Sequence, residues 1–199
     1  MRTRPALAAQ PLLSGSYDAD EMALWRAFKS GDEAAFARMY QRYARVLYGY
    51  GFRVTSDAAL IEDSIQDLFI ELWRTRENLS DTTSIKYYLF RSLRRRISRT
   101  LNSDPLRNDV SEIHDHAEWF SAPSFEALLV ENQSNDARVA GLNRAVEGLS
   151  RRQREVISLR FYHNHDYQEI CAIMSLNYQS VCNLVYRALD TLRQRVVLE

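Results

Sequence analysis

Glycine, proline and cysteine are scarce in this chain of 199 residues, which has 6 Gly, 4 Pro and 2 Cys. All-β sandwiches and barrels place glycine and proline at their many turns, so the shortage argues against a sheet-rich fold and favours helices joined by few connections. Hydrophobic residues make up 46% and charged residues 26% of the chain, as in ordinary globular proteins. Composition therefore predicts an all-α protein with one domain or two small ones.

The two cysteines, Cys171 and Cys182, have no metal-ligand spacing and suggest no disulfide framework. This usage fits a reducing, intracellular compartment. Long apolar runs are missing too, since no stretch approaches the roughly 20 residues of a membrane-spanning helix. Pro5, Gln10 and Pro11 interrupt the N-terminal segment before the apolar stretch of a signal peptide can form. The sequence thus predicts a soluble cytoplasmic protein without membrane insertion.

A surplus of one charge sign is also absent, because 26 basic residues balance 26 acidic ones. A nucleic-acid-binding domain is expected to be basic, but here the charges are segregated along the chain. Residues 86–99 contain basic side chains and no acid, whereas residues 101–138 contain eight acids and two arginines. Local fields decide what a surface attracts, so the basic stretch is a candidate nucleic-acid surface despite the zero total.

The pattern of apolar and breaker residues divides the chain into four parts. We predict a flexible tail at 1–17, a four-helix domain at 18–101, an acidic linker with two prolines at 102–123, and a smaller helical domain at 124–199. Helices are expected from Asp20 to about Lys29, from Ala35 to about Gly49 or Gly51, from Asp57 to Arg74, and from Ile85 to about Leu101. Aromatic residues at helical spacing predict a core that includes Trp25, Phe28, Phe36, Trp73 and Phe161.

The last fifty residues predict a helix-turn-helix. Ser150 with Gln153, and Asp166 with Glu169, have the spacing of capping boxes, and Asn177 can cap the final helix. One face of that helix is an apolar stripe formed by Val181, Leu184, Val185, Ala188 and Leu192. The opposite face carries polar residues suited to base edges and phosphates, namely Tyr178, Gln179, Cys182, Asn183, Tyr186 and Arg187. A helix-turn-helix delivers such a helix to the DNA major groove.

Two earlier helices carry further chemistry. The third helix places an acidic and amide face above its apolar stripe, which suits docking onto a basic helical partner. The fourth interleaves arginines with Tyr87, Tyr88 and Phe90, a combination that can neutralise phosphates and stack unpaired bases. The loop from Asn78 to Ser84 offers amide, hydroxyl and carboxylate groups for reading the edge of an unstacked base.

These blocks together resemble a known family. The run Asp63–Trp73 resembles the D-x-x-Q-x-x-F-x-x-x-W block of bacterial sigma factors. Gly31–Phe36 is similar to the opening of the extracytoplasmic-function (ECF) group, and Tyr88–Arg91 to its DNA-facing helix. Leu149–Val156 and Tyr167–Ile170 match that group's C-terminal helix-turn-helix. The resemblance covers about residues 20 to 195, and the order and spacing of the blocks are more specific than any block alone.

The resemblance implies a dissociable specificity subunit of RNA polymerase that acts by binding and not as an enzyme. Its partners would be core RNA polymerase and promoter DNA, melted downstream and duplex upstream, with an anti-sigma factor as a candidate further partner. Core-polymerase binding is expected at Glu62, Asp63, Gln66, Asp67 and Phe69. Minus-ten binding is expected at Asn78, Ser80, Lys86, Tyr87, Tyr88, Arg91, Arg94, Arg95, Arg96 and Arg99. Minus-thirty-five binding is expected at Arg151, Arg154, Tyr178, Gln179, Ser180, Asn183 and Arg187.

Some positions depart from the family pattern. Cys182 and Leu184 stand where the recognition helix usually carries lysine or arginine, and Ser175 stands where a turn glycine is common. Arg95 replaces a usual asparagine, which leaves the sequence read by the fourth helix open. Base reading would then depend on Tyr178, Gln179, Asn183 and Arg187. Glutamine and asparagine are good adenine readers. The Tyr-Gln-Ser-Val pattern that begins at Tyr178 resembles sigma factors of the Bacteroidetes type.

Two other functions compete with this interpretation. A stand-alone helix-turn-helix regulator would need neither the acidic third helix nor the arginine-aromatic fourth helix, and a helical anti-sigma-type adaptor would not contact DNA. The histidines at 114, 116, 163 and 165 lack helical ligand spacing and are predicted to lie on the surface. No catalytic motif is present, and we predict no metal site and no cofactor.

Overall fold

The computed structural model describes residues 15–103, 145, 146 and 148–197. The first 14 residues of the predicted tail, nearly all of the predicted acidic linker and residues 124–144 of the predicted second domain lie outside these ranges. Every regular element in the described ranges is helical, which confirms the all-α prediction. None of the described helices is long and apolar enough to cross a membrane.

The first domain contains four α-helices. They are α1 (Gly15–Lys29), α2 (Glu33–Val54), α3 (Ala58–Thr75) and α4 (Ile85–Ser103), with a single 3-10 turn (Arg76–Asn78) after α3. Side-chain caps fix two helix starts: Asp32 accepts from the Ala34 amide at 2.8 Å, and Asp57 accepts from the Leu60 amide at 2.9 Å. Helix α2 packs against the other three, so the apolar stripes meet around it. The most buried side chains at this centre are Phe28, Met39, Leu47, Tyr50, Ile61, Leu89, Phe90, Leu93 and Ile97.

Gly51 corrects a predicted helix end. The sequence predicts that α2 ends near Gly49 or Gly51, but the helix continues to Val54. Gly51 is buried, and a Cβ atom added there would lie 2.5 Å from Cγ2 of Ile61 on α3. The glycine therefore permits a close approach of two helices instead of ending one.

Replacing Gly51 with alanine tests this contact, and Gly49→Ala is its matched control. Both positions lie in α2, but a Cβ atom at the exposed Gly49 would meet no atom of the described residues within 4 Å. Both variants gain the helix propensity of alanine, about 1 kcal/mol, so their difference isolates the contact with Ile61. We expect Gly51→Ala to have the lower free energy of unfolding in urea, by roughly 1–3 kcal/mol. Equal stability of the two variants would show that α3 moves away without cost.

The second domain consists of α5 (Arg151–Ile157), a π-helical turn (Ser158–Tyr162), α6 (Tyr167–Met174) and α7 (Tyr178–Val197). Both predicted capping boxes are confirmed, at Ser150 with Gln153 and at Asp166 with Glu169. Asn177 accepts from the Ser180 amide at 2.8 Å, as predicted for the start of α7. Helices α6 and α7 pack on each other and α7 packs on α5, which forms the predicted helix-turn-helix.

The π-helical turn overturns the prediction that Phe161 belongs to the core. A π turn contains an extra residue compared with an α turn, so it rotates the side chains that follow out of the α-helical register. Phe161 is 53% exposed as a result. The other predicted core aromatics point inward: Trp25 and Phe28 are fully buried, while Phe36 and Trp73 are partly buried against them.

The two domains pack directly against each other. Helix α4 of the first domain lies on α6 of the second, and α2 lies on α5. The prediction of surface histidines fails here for His165, which is 2% exposed. Its ring lies 5.0 Å from the ring of Phe90 on α4, so the pairing of the domains buries it. Helical periodicity within one segment could not reveal this contact between segments.

Candidate nucleic-acid and polymerase interface

Helix α4 divides the predicted minus-ten residues into two groups. Arg91, Arg95 and Arg99 are exposed. The other five on this helix are half-buried, namely Lys86, Tyr87, Tyr88, Arg94 and Arg96. The exposed group is spaced along one side of the helix and is available to phosphates in the structure as it stands, whereas the second group already has protein neighbours.

Arg94 forms a buried ion pair with the second domain. Its Nε donates to Oε1 of Glu155 at 2.6 Å, and the hydroxyl of Tyr50 donates to the same oxygen at 2.9 Å. The side chains of Arg94 and Glu155 are 14% and 4% exposed. Burial and the neighbouring carboxylate hold the pKa of Tyr50 well above its usual value, so its hydroxyl remains a donor. Arg94, which was predicted to bind a phosphate, is thus paired with a carboxylate of the helix-turn-helix domain.

Arg96 is paired within the first domain. It bridges to Asp67 at 3.4 Å and also contacts Glu71, both on α3. These carboxylates are 65% exposed, so the pairs contribute at most about 1 kcal/mol and weaken with salt. Arg96 therefore links α4 to α3, the helix that carries the predicted polymerase contacts.

A basic cleft runs between α4 and α6. Four arginines of α4 line one side, and the other side is formed by Ala172, Ile173 and Ser175 at the end of α6. Its volume is about 620 Å³, and none of the described residues that line it is acidic. The arginines are Arg91, Arg94, Arg95 and Arg99. Such a concentration of positive charge attracts anions, and the helix-turn-helix domain covers part of it.

The cleft adjoins a contact of aromatic and imidazole rings between the domains. The ring of His163 lies 4.7 Å from the Phe90 ring, and Lys86 donates from Nζ to the backbone carbonyl of His163. Nδ1 of His165 lies 2.9 Å from Oε2 of Glu169. Thus Lys86, a second predicted minus-ten residue, is also held by the second domain. Within the described ranges, no three His, Cys, Asp or Glu side chains are placed to hold a metal ion.

Acid is expected to destabilise this contact through His163. Burial, followed by the nearby charges of Lys86, His165 and Arg53, lowers the pKa of His163 to about 3. The folded chain therefore keeps His163 neutral, whereas the unfolded chain takes up a proton near pH 6.5. The contribution of neutral His163 to the free energy of unfolding is therefore fully present above about pH 6.5. It is lost as the pH falls toward 3, by up to about 1.4 kcal/mol per pH unit.

Urea unfolding at about pH 7.5 and about pH 5.5 checks this expectation, with His163→Gln as the comparison. Glutamine does not titrate, and the backbone carbonyl that accepts from Lys86 is retained. The variant should show a smaller loss of stability on acidification. The same loss in both proteins would assign the pH dependence to a different group.

The predicted base-reading loop is tied to α1. Asn78 and Ser80 are exposed, as a reading role requires. The indole Nε1 of Trp25 donates to the Ser80 carbonyl at 3.2 Å, and Lys29 bridges to Asp81 at 2.8 Å. Sequence reasoning treated Trp25 as a core residue and missed this second role, because the bond joins residues that are far apart in the chain.

The predicted polymerase-docking residues lie together on α3. Glu62, Asp63, Gln66 and Asp67 are exposed, whereas Phe69 is 3% exposed. The ring of Phe69 packs 6.0 Å from Phe36 and 5.0 Å from Tyr40, so it supports this surface from below. The structure adds an apolar groove of about 360 Å³ beside the acidic residues. Its lining residues are Phe36, Tyr40, Gln66, Phe69, Ile70, Trp73 and Arg74.

Ile70 is the sequence signal that could have revealed this groove. It is 56% exposed and interrupts the polar face of α3 with a large apolar side chain. Scattered exposed apolar residues need no explanation, but this one borders a concave surface with exposed Tyr40. The one charged residue among those that line the groove is Arg74, and the exposed acidic residues of α3 lie outside its lining. An apolar groove on the helix that carries these acidic residues fits an amphipathic helix better than the acidic face alone does.

The predicted readers on α7 face away from the first domain. Tyr178, Gln179, Asn183 and Arg187 are exposed, while Val181 is fully buried against the second-domain core. Gln179 donates to Asn183 at 3.2 Å, so the two amides are aligned along the helix. Among the remaining predicted contacts, Arg151 is exposed, and Arg154 and Ser180 are half-buried. The closed packing of the domains thus leaves this surface open.

The turn before α7 is unusual in its backbone. Ser175 has φ 54° and ψ 46°, in the left-handed region that glycine adopts most easily. In the sequence, Ser175 stands where the sigma-factor pattern commonly has a turn glycine. The structure retains the turn despite the side chain, and the Leu176 amide bonds to the Cys171 carbonyl at 3.0 Å to close α6.

Comparisons with known proteins agree with this geometry. Residues 39–104 match Sigma-70 region 2, and residues 141–192 match Sigma-70, region 4. The ECF RNA polymerase sigma factor RpoE of Cereibacter sphaeroides is 30% identical over 182 residues, which cover 89% of this chain and 95% of that protein. The ECF RNA polymerase sigma factor SigK of Mycobacterium ulcerans is 26% identical over 181 residues, which cover 87% of this chain and 92% of that protein.

Two solved structures share the fold. CnrH, in complex with the cytosolic domain of CnrY, has a TM-score of 0.54 at 17% identity and covers 89% of this chain and 97% of that chain. The sigma factor RpoE of Bartonella quintana, in complex with the anti-sigma factor NepR, has a TM-score of 0.51 at 16% identity and covers 92% and 98%. Since a 30% identical relative spans almost the whole chain and both sigma-70 regions occur in order, the chain belongs to the extracytoplasmic-function sigma factors of RNA polymerase.

Proposed function

We propose that this sigma factor binds core RNA polymerase through α3, engages the melted minus-ten strand through α4, and reads the minus-thirty-five duplex through α7. The observation that carries this proposal is the presence of three chemically different surfaces on one small chain. One is acidic and grooved, one is an arginine-rich helix, and one is an exposed recognition helix. A stand-alone regulator requires only the third surface, and an adaptor requires neither of the last two.

The docking role rests on Glu62, Asp63, Gln66 and Asp67, supported from below by Phe69. These side chains are exposed beside the apolar groove and remain accessible while the domains are packed together. Exposed carboxylates steer association with a basic partner and add register, while the groove supplies apolar area to bury. The polymerase partner proposed here is therefore an amphipathic helix with basic residues beside an apolar stripe.

The DNA roles divide between strand and duplex. The arginines of α4 neutralise phosphates, and Tyr87 and Tyr88 stack on unpaired bases, as single-strand binding commonly requires. Asn78 and Ser80 in the preceding loop offer hydrogen bonds to the edge of an unstacked base. On α7, Gln179 and Asn183 are suited to adenine. Around them, the phosphate contacts would come from Arg151, Arg154, Tyr178, Ser180 and Arg187.

The proposal also includes a branch of the family, an anti-sigma partner and a cellular location. The Tyr178–Val181 sequence favours a place in the Bacteroidetes-type branch of the family. An anti-sigma partner is supported by the Bartonella quintana relative, which was solved in complex with the anti-sigma factor NepR. The protein would act in the cytoplasm, where core polymerase and promoter DNA are found.

Run-off transcription with purified core polymerase and a library of promoters tests this function. Core polymerase alone should give no specific transcript, and addition of the protein should select templates that share upstream and downstream elements at a fixed spacing. A stand-alone regulator would bind duplex DNA without conferring initiation on core enzyme. An adaptor would leave the template selection of core enzyme unchanged.

A further inference from the structure

We infer that Trp25 and Lys29 of α1 are positioning residues, which hold the loop of residues 79–84 in the shape that reads an unpaired promoter base. This inference rests on the proposed function and deepens it. It assigns a specificity role to a helix that lies before the matched Sigma-70 region 2 segment, which begins at residue 39.

The two ends of the 79–84 loop are fixed by their own neighbours. The Leu79 amide bonds to the Arg76 carbonyl at 3.3 Å, which closes the 3-10 turn. Ser84 caps α4, because its hydroxyl accepts from the Tyr87 amide at 3.1 Å. Thr82 bonds to Ser84 through its hydroxyl, at 3.1 Å and 3.2 Å. The central residues, 80 and 81, lie between these anchors.

Helix α1 anchors that centre. Trp25 is 1% exposed, and its Nε1 donates to the Ser80 carbonyl at 3.2 Å. One turn later Lys29 donates to Oδ1 of Asp81 at 2.8 Å. In the described ranges, these are the hydrogen bonds that reach residues 80 and 81 from outside the loop. A buried indole with a fixed N–H direction sets the position of a backbone carbonyl more rigidly than an exposed ion pair does.

Trp25 also contacts the aromatic residue proposed to stack on bases. Its ring lies 5.4 Å from the ring of Tyr88 on α4 and 5.3 Å from Phe28 behind it. One buried side chain therefore touches both the loop that would read a base edge and the ring that would stack on its face. Hydrogen-bond recognition of a base is sensitive to small displacements of donors and acceptors, so the relative position of these two parts determines selectivity.

The ion pair has a smaller, separable role. Asp81 is 76% exposed, and the hydrogen bond from Lys29 lowers the pKa of its carboxyl group. Solvent and salt screen such a pair. Its removal therefore loosens the centre of the loop without disturbing the core, which makes it a second probe that does not endanger folding.

The test uses holoenzyme reconstituted with Trp25→Phe, which keeps an aromatic ring and removes the N–H donor. Open-complex formation is measured on templates that differ at single minus-ten positions and, separately, at minus-thirty-five positions. We expect discrimination at one minus-ten position to fall roughly two- to tenfold, the size of one net hydrogen bond. Discrimination at the minus-thirty-five positions and affinity for core polymerase should not change.

Thr55→Val is the matched control for lost stability. The Thr55 hydroxyl, also in the first domain, accepts from the Asp57 amide at 3.2 Å in the connection between α2 and α3. This variant loses one hydrogen bond of similar size but leaves the 79–84 loop alone. If it relaxed minus-ten discrimination as much as Trp25→Phe does, general destabilisation would explain the effect and the inference would be wrong.

The ion pair supplies an independent test if Trp25→Phe fails to fold. Lys29→Asp should relax the same minus-ten position, and the swapped pair Lys29→Asp with Asp81→Lys should restore discrimination. No relaxation in Lys29→Asp, or no recovery in the swapped pair, would overturn the inference. These outcomes differ from failure of the proposed function, in which the unmodified holoenzyme itself would show no minus-ten preference.

Discussion

Replacing Arg91, Arg95 and Arg99 together with glutamine is expected to weaken binding of the minus-ten strand by about 50-fold at roughly 0.15 M salt. Each arginine that binds a single-strand phosphate adds about 0.7 to the slope of log affinity against log salt concentration. Removing three such arginines should reduce that slope by about 2, and extrapolation from 1 M salt gives the quoted factor. These three arginines are exposed and line the basic cleft, so their replacement should leave the fold intact.

Fluorescence anisotropy of holoenzyme on a forked template, at several salt concentrations, provides the measurement. The control is the triple variant of Arg38, Arg45 and Arg193, which are exposed on α2 and α7 and change the net charge equally. The control should keep the salt slope of the unmodified protein. An unchanged slope in the cleft variant would rule out phosphate contact by this side of α4.

Replacing Glu155 with glutamine is expected to open the contact between the domains. The substitution removes the charge that balances buried Arg94, and an uncompensated buried charge costs about 3–5 kcal/mol. The equilibrium between packed and separated domains should therefore move by roughly 150- to 5,000-fold toward separation. Once Arg94 is released, the free protein should bind single-stranded minus-ten DNA more tightly than the unmodified protein does.

Small-angle scattering and single-strand binding by the free protein check this result. A compact chain of this length has a radius of gyration of about 16 Å, and separation of the domains should increase the measured value. The double variant Arg94→Gln with Glu155→Gln carries no buried charge and should remain packed. Glu71→Gln, which removes an exposed partner of Arg96, should change the equilibrium by at most about 1 kcal/mol. A compact Glu155→Gln protein would show that the ion pair does not hold the domains together.

The sequence predicted features that depend on neighbouring residues along the chain. The capping boxes at Ser150 and Asp166 need a side chain and a backbone amide three residues apart, so spacing alone identifies them. The apolar stripe of α7 follows for the same reason, since helical periodicity brings Val181, Val185 and Ala188 to one buried face.

Features that depend on contacts between distant segments were missed. Gly51 reads as a helix end until Ile61 is seen beside it, and His165 reads as a surface residue until Phe90 covers it. Phe161 is exposed and not in the predicted core, because the π turn that begins at Ser158 changes the helical register. No spacing rule predicts such a turn from the sequence. Arg94 was predicted as a phosphate ligand from its charge, but only tertiary structure identifies Glu155 as its present partner.

The Arg94–Glu155 ion pair makes it easier for the two domains to separate at their interface. An interface made entirely of apolar side chains would expose apolar surface to water when the domains separate, so its separation would be strongly unfavourable. When the two domains separate, Arg94 and Glu155 are each hydrated again, and this hydration offsets much of the electrostatic attraction that is lost. In the proposed DNA complex, Arg94 would exchange the carboxylate of Glu155 for a DNA phosphate, with little change in the electrostatic surroundings of its guanidinium group.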